Sequence, residues 1–218
     1  KQCLVGSEMC IRDRFQSINS SMVDNIVPAN LRGPNNEWVG IAKRSRVMYY
    51  NPVTVSSDEM EGLSYEDLSD PKWKGRVAIR SSGNMYNQSL VSSLIANHGV
   101  DATEAWAKDF VGNFARKPEG NDRAQIMAVA NGEADIAVAN SYYIGLMLSG
   151  KKGEEQQSAA RKVELHFPGQ NGRGAHINVS GAGLLKNAPN KGNAVKFIEF
   201  LLTDEAQSHI VNNLSLIH

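Results

Sequence analysis

Tyr142 and Tyr143 stand side by side behind a short apolar run in ADIAVANSYYIGLML, residues 134–148. A phenol titrates near pH 10, so it ligates a metal only where a strongly Lewis-acidic cation displaces its proton. Hard cations select oxygen donors, and a phenolate is a hard, anionic one. Several phenolates converging on one point suit a trivalent hard ion, Fe3+ above all. Neighbouring side chains on a strand point to opposite faces, and neighbours on a helix do not share a face. The two tyrosines can therefore serve one purpose only if the backbone turns from strand to helix around them. The competing arrangement puts one tyrosine in the core and the other at the surface. Residue physics alone leaves both open and leans to the second.

Other chemistry is thinly represented. The chain has no Walker loop, no dinucleotide fingerprint, no HExxH and no GxSxG. GAG at 181–183 reads as a tight turn. The histidines at 98, 166, 176, 209 and 218 lack metal-ligand spacing, and the acidic pairs Asp58–Glu59 and Glu154–Glu155 read as solvated charge in polar loops. Nothing pairs a nucleophile with a base, so no enzymatic activity is expected. Tyr49 and Tyr50 form a second adjacent pair, placed mid-strand and expected to pack on opposite faces.

The elements that must position these residues follow from periodicity. Strands are predicted over 38–42, 46–50, 76–80, 135–139 and 163–167, and within AHINVSGAGLL after the Gly-rich PGQNGRG. Helices are predicted over 87–98, 101–114, 122–131 and 194–202, with another opening near the tyrosine pair. Asp101 and Glu104 have capping-box spacing, Trp106, Phe110, Val111 and Phe114 make an apolar stripe, and Thr203 caps a last helix over DEAQSHIV. Strands alternating with helices imply α/β architecture with mainly parallel sheets. The 218 residues carry 23 basic and 23 acidic side chains, which excludes a nucleic-acid surface or a polybasic membrane patch. No apolar run approaches the roughly 18 residues of a membrane span.

The ends read differently from the middle. Residues 1–14, KQCLVGSEMCIRDR, hold both cysteines, lack the apolar centre of a signal peptide and resemble a translated sequencing adapter; LSLIH, 214–218, resembles the opposite adapter. Both are expected to be non-native, with native sequence running from about Phe15 to about Asn213 and any export signal lying outside it.

Five patches occur in order: WVGIAKRSRVMYYNP, DPKWKGRVAIRSSGNMYNQSLV, FARKPEGNDRAQIMAVANGEADIAVANSYYIG, FPGQNGRGAHINVSGAGLLKNAPN and FIEFLLTDEAQ. Together they resemble the periplasmic ferric-ion-binding proteins of bacterial ABC transporters, over nearly all of residues 15–213. The resemblance implies the type II periplasmic-binding fold, with two α/β lobes, a ligand cleft at the hinge, and both termini incomplete. It divides the chain into 15–46 (first lobe), 47–170 (second, tyrosine-bearing lobe) and 171–213 (return to the first). It implies Tyr142 and Tyr143 as iron ligands, Tyr86 of SSGNMYN as a third, and Arg46 of KRSRV holding a synergistic anion such as carbonate. Helix N-termini after Ser82–Gly83 and after Asn140 would add N–H donors toward the same anion. Three phenolates neutralise Fe3+, and an arginine fork suits a small oxyanion. The function implied is periplasmic capture of Fe3+ by a monomer and delivery to an inner-membrane ABC permease. The alternatives are the same fold with another ligand, such as a phosphonate, thiamine or a polyamine, or an α/β enzyme.

Overall fold

The computed structural model describes residues 14–214, with side chains described through Val211. Apart from Arg14 and Leu214, the segments read as adapter-derived lie outside the described residues. In chain order the elements are β1 (Phe15–Gln16), α1 (Ser21–Ile26), β2 (Trp38–Tyr50), α2 (Ser57–Met60), β3 (Val77–Ile79), α3 (Met85–His98), α4 (Val100–Gly112) and α5 (Asp122–Ala130). Then come β4 (Ile136–Asn140), α6 (Tyr142–Leu148), α7 (Glu154–Ala160), β5 (Glu164–His166), β6 (Ile177–Leu185), α8 (Lys191–Leu201) and α9 (Asp204–Leu214). The chain forms two compact units: residues up to Lys43 together with those from Val179 onward, and Arg44–Asn178.

In the first unit β6 lies between β1 and the early part of β2. Its core gathers Ile18, Val23, Val27, Val39, Leu184, Ile198 and Leu202. The GAG triplet is not a turn but part of β6. A Cβ on Gly181 would lie 2.9 Å from the Val39 carbonyl oxygen, and one on Gly183 would lie 3.0 Å from the Phe15 ring, so glycine permits close approach of the neighbouring chain. Thr203 caps α9 as read, its hydroxyl accepting from the Ala206 N–H at 3.3 Å.

In the second unit the strand order is β5-β2-β4-β3. Only β3 and β4 run parallel; β2 is antiparallel to both β4 and β5, which corrects the expectation of mainly parallel pairing. Strand alternation sorts the side chains onto two faces. Met48, Tyr50, Val77, Ile79, Ile136 and Val138 join Leu90 and Leu94 of α3 and Phe110 of α4 on one face. Val47, Tyr49, Ala78, Ala137 and Ala139 join α5, α6 and α7 on the other. Tyr49 and Tyr50 thus separate as expected. Trp106, Phe110 and Phe114 form a stacked and an edge-on ring pair along α4, whereas Val111 is exposed.

Other readings change with the tertiary structure. The two strands over 38–50 are one, since no residue between them breaks the extended backbone. Helix α4 starts after Gly99, so Asp101 falls inside its first turn and makes no capping box; Glu104 pairs instead with Lys108. The acidic pairs read as loop charge sit at the N-termini of α2 and α7, where carboxylates meet unpaired N–H groups, and Ser56 and Glu59 form a capping box. Residues 171–178 stay with the second unit rather than returning to the first. The Arg46 N–H donates to the His176 carbonyl at 2.8 Å, the His176 N–H donates to the Tyr65 hydroxyl at 3.0 Å, and Arg173 pairs with Glu66.

Two buried phenols make this unit alkali-sensitive. The Tyr49 hydroxyl donates to the Asn140 carbonyl at 3.0 Å, and the Tyr65 hydroxyl donates to the Arg46 carbonyl at 2.6 Å. Burial pushes both above the ordinary phenol value. Their folded pKa values are raised, so the stability they contribute is complete below about pH 10 and is lost as pH climbs beyond it, by up to about 1.4 kcal/mol per unit for each phenol. Denaturant unfolding of the wild type across that range is expected to show this fall. Tyr49→Phe is expected to be about 1 kcal/mol less stable at neutral pH, from the lost hydrogen bond, and to lose less on going alkaline.

Candidate metal centre

Strands β3 and β4 are parallel neighbours, with Val77 opposite Ile136 and Ile79 opposite Val138. Their C-terminal ends therefore open side by side, the position where α/β sheets place ligands. Each strand runs through a short turn into a helix. After β3, Asn84 caps α3 by accepting the Tyr86 N–H at 3.0 Å, which sets Tyr86 in the first turn. After β4, Ser141 already has helical backbone angles, and Tyr142 and Tyr143 open α6.

This turn resolves the problem of the adjacent phenols. The Tyr142 and Tyr143 rings lie with centroids 4.1 Å apart and planes 31° apart, so both are carried to one side. The Tyr142 phenol lies within electrostatic reach of Tyr143 and of Tyr86, which lies 56 residues away in the chain. All three are half-buried rather than sealed in the core. Burial pushes the Tyr142 phenol well above its ordinary value, and the neighbouring phenols of Tyr143 and then Tyr86 push it further. The Tyr142 phenol, so placed, gives up its proton where a cation replaces it. The structure thus brings together three of the predicted site residues.

Arg46 takes a different position from the one expected. Its side chain is fully buried, its Nη1 bonds Asp122 Oδ2 at 2.6 Å and Asn140 Oδ1 at 3.1 Å, and its Nη2 bonds Asn87 Oδ1 at 2.5 Å and the Val138 carbonyl at 3.2 Å. A guanidinium matched by a buried carboxylate has both terminal nitrogens engaged within the protein. Asn140, the cross-strand partner of Arg46, is also fully buried. Ser82 and Gly83 are exposed in the loop leading to α3, and the Gly83 N–H donates to the Ser81 hydroxyl at 3.2 Å. Several buried donors here lack a partner: the Nε atoms of Arg46 and Arg80, the Asn140 amide nitrogen and the Ser141 hydroxyl. Orphan donors of this kind are those a bound water or oxyanion satisfies.

Asp122 and Asn87 are the residues sequence reasoning missed. Asp122 sits at the start of α5, where an acidic residue looks like ordinary helix-terminus charge; nothing in the sequence marks it as buried. Tyr65 was likewise unremarked, although its hydroxyl ties the Arg46 carbonyl to the 171–178 segment. Among the described residues no cluster of three His, Cys, Asp or Glu side chains could hold a metal.

The sequence profile of the bacterial extracellular solute-binding proteins matches residues 9–215, and the chain belongs to that family. It has the type II periplasmic-binding fold. It is 52% identical over 199 residues to iron uptake protein A1 of Synechocystis sp., covering 91% of this chain and 54% of that protein. It is 31% identical to the Fe(3+)-binding periplasmic protein of Serratia marcescens, covering 91% and 56%. Among solved structures, Trichodesmium FutA (IdiA) in complex with iron and citrate superposes with a TM-score of 0.87 at 52% identity, over 92% of this chain and 62% of that one. The ferric binding protein from Campylobacter jejuni gives 0.87 at 35% identity, over 96% and 66%. The chain spans about half the length of the curated relatives it matches.

The phenol cluster has a signature without metal. Isotope-labelled tyrosine NMR is expected to show Tyr142 titrating above the ordinary phenol value. Tyr86→Phe removes one neighbouring phenol, so the Tyr142 pKa is expected to fall toward that value. An unchanged titration would separate Tyr86 from the cluster.

Proposed function

We propose that this chain captures Fe3+ outside the cytoplasm and delivers it to an inner-membrane ABC permease, acting as a periplasmic monomer. Tyr86, Tyr142 and Tyr143 bind the ion as phenolates. The observation that carries this reading is the convergence of Tyr143 and Tyr86 on the Tyr142 phenol at the adjoining ends of β3 and β4. A core-packing role would leave the three hydroxyls in separate surroundings. The names of the relatives support the same reading, since they are iron uptake and ferric-binding proteins.

Three phenolates offset the charge of Fe3+, and their hardness selects it over softer divalent ions. A small synergistic oxyanion, carbonate or a similar species, completes the shell. The exposed Ser82–Gly83 loop leads into the N-terminus of the 14-residue α3, the end of a helix that favours an anion. Arg46 and Asn140 act from behind the site rather than by direct contact. A phosphonate, thiamine or polyamine has no need of clustered phenolates. An enzymatic reading would begin from Ser89, whose hydroxyl lies 2.9 Å from His176 Nε2. Yet burial and the nearby Arg46 charge lower the His176 pKa, which weakens it as a base for that serine.

Ferric phenolates give an intense visible charge-transfer band. The 218-residue chain loaded with Fe3+ is expected to be coloured, and Tyr142→Phe or Tyr143→Phe to bleach most of the colour; unchanged absorbance in both variants would remove the ligand assignment. Affinity is also expected to rise with pH, because phenol ligands must release protons to bind. Each proton displaced contributes up to about tenfold per pH unit. Competition against a chelator, corrected for the chelator's own protonation, measures the slope. A flat profile would point to carboxylate or neutral ligands.

A further inference from the structure

Resting on the phenolate reading above, we propose that Asp122 and Asn87 are positioning residues of the metal centre. With Arg46 between them, they set the spacing of the Tyr86 turn from the Tyr142–Tyr143 turn. Asp122 stands at the start of α5, fully buried, and its hydrogen bonds run to groups other than Tyr86, Tyr142 and Tyr143. Its Oδ2 accepts from Arg46 Nη1 at 2.6 Å and from the Asn140 backbone N–H at 2.9 Å, and its Oδ1 faces Arg80 Nη1 at 3.3 Å. One carboxylate thus grips the last residue of β4, two positions before Tyr142, and the residue just past β3. Arg46 carries the link onward to Asn87, which adjoins Tyr86. The Asn87 amide nitrogen then donates to the carbonyls of Arg80 at 2.7 Å and Ser81 at 3.2 Å, fixing the loop that leads into α3. Every strand end and turn that carries a phenol is tied to this network.

The energetics argue against plain stabilisation as its purpose. Burying two charges is costly, and a hydrophobic pair of similar volume often serves stability equally well. The same pair does supply directional bonds at fixed lengths, and here they all end on backbone or side chains beside the phenols. Outer-shell residues that orient metal ligands typically change metal affinity by about 10–100-fold when altered.

The test compares three forms of the full chain: wild type, Asp122→Asn, and the hydrophobic double variant Arg46→Met with Asp122→Leu. Denaturant unfolding reports stability, the visible band and transfer of Fe3+ to citrate report the metal centre, and ring-to-ring nuclear Overhauser contacts between Tyr86 and Tyr142 report spacing without metal. The double variant is expected to regain the stability that Asp122→Asn loses. Both variants are expected to bind Fe3+ about 10–100-fold more weakly, with a shifted or weakened band and diminished Tyr86–Tyr142 contacts. Asn87→Ala is expected to reproduce the loss, since it removes both the acceptor for Arg46 and the donor to the Arg80 and Ser81 carbonyls. If metal binding and ring contacts recover together with stability in the double variant, the network is merely structural and the proposal fails. A wild type that shows no ferric band would overturn the phenolate reading instead. The metal-free ring contacts would still report whether Asp122 sets the spacing.

Discussion

The buried pair between Arg46 and Asp122 is the constraint on which the second unit's mouth depends. An arginine in the middle of a sheet is tolerable only if every charge finds a partner. Here the partners are Asp122, two asparagine oxygens and one carbonyl, all drawn from segments that meet at the ends of β3 and β4. Satisfying Arg46 therefore fixes the relative positions of α3, α5 and α6. The apolar faces on either side of the sheet give this arrangement its rigidity, but they do not specify it; they would accept small shifts that a directional 2.6 Å ion pair does not.

The phenols built on that frame are chemically poised in a simple way. Without a cation they stand together as phenols, and burial with the neighbouring rings keeps Tyr142 neutral. A hard trivalent ion would replace those protons and turn mutual repulsion into common attraction. The same proximity that raises the Tyr142 pKa is what would make three anionic oxygens available to one ion. Arg46 also shows how a residue type can mislead: a guanidinium is a natural oxyanion ligand, yet this one is already neutralised within the protein.

Much of the organisation was legible in the chain. The helix predicted over 122–131 and the strand predicted over 135–139 are found over 122–130 and 136–140, and a helix opens at the tyrosine pair as apolar periodicity implied. The opposite-face packing of Tyr49 and Tyr50 follows from strand alternation. Strand direction was not legible: β2 is antiparallel to β4 because of how the long strand is threaded, and local sequence does not encode that. The placement of residues 171–178 was equally hidden, since it hangs on Tyr65 and Glu66, more than a hundred positions earlier.

What the sequence determined by itself was the donor set and its local aim. Tyr142 and Tyr143 follow a buried strand and precede a helix, so a strand-to-helix turn could carry both to one side. What only the tertiary structure decided was that Tyr86 joins them and that Arg46 does not face outward. Both depend on contacts across many tens of residues: the parallel pairing of β3 with β4, and a carboxylate on α5 that reaches the sheet from another layer. Spacing along a chain carries no information about such distances, because burial and ion pairing are settled only when separate elements pack against one another.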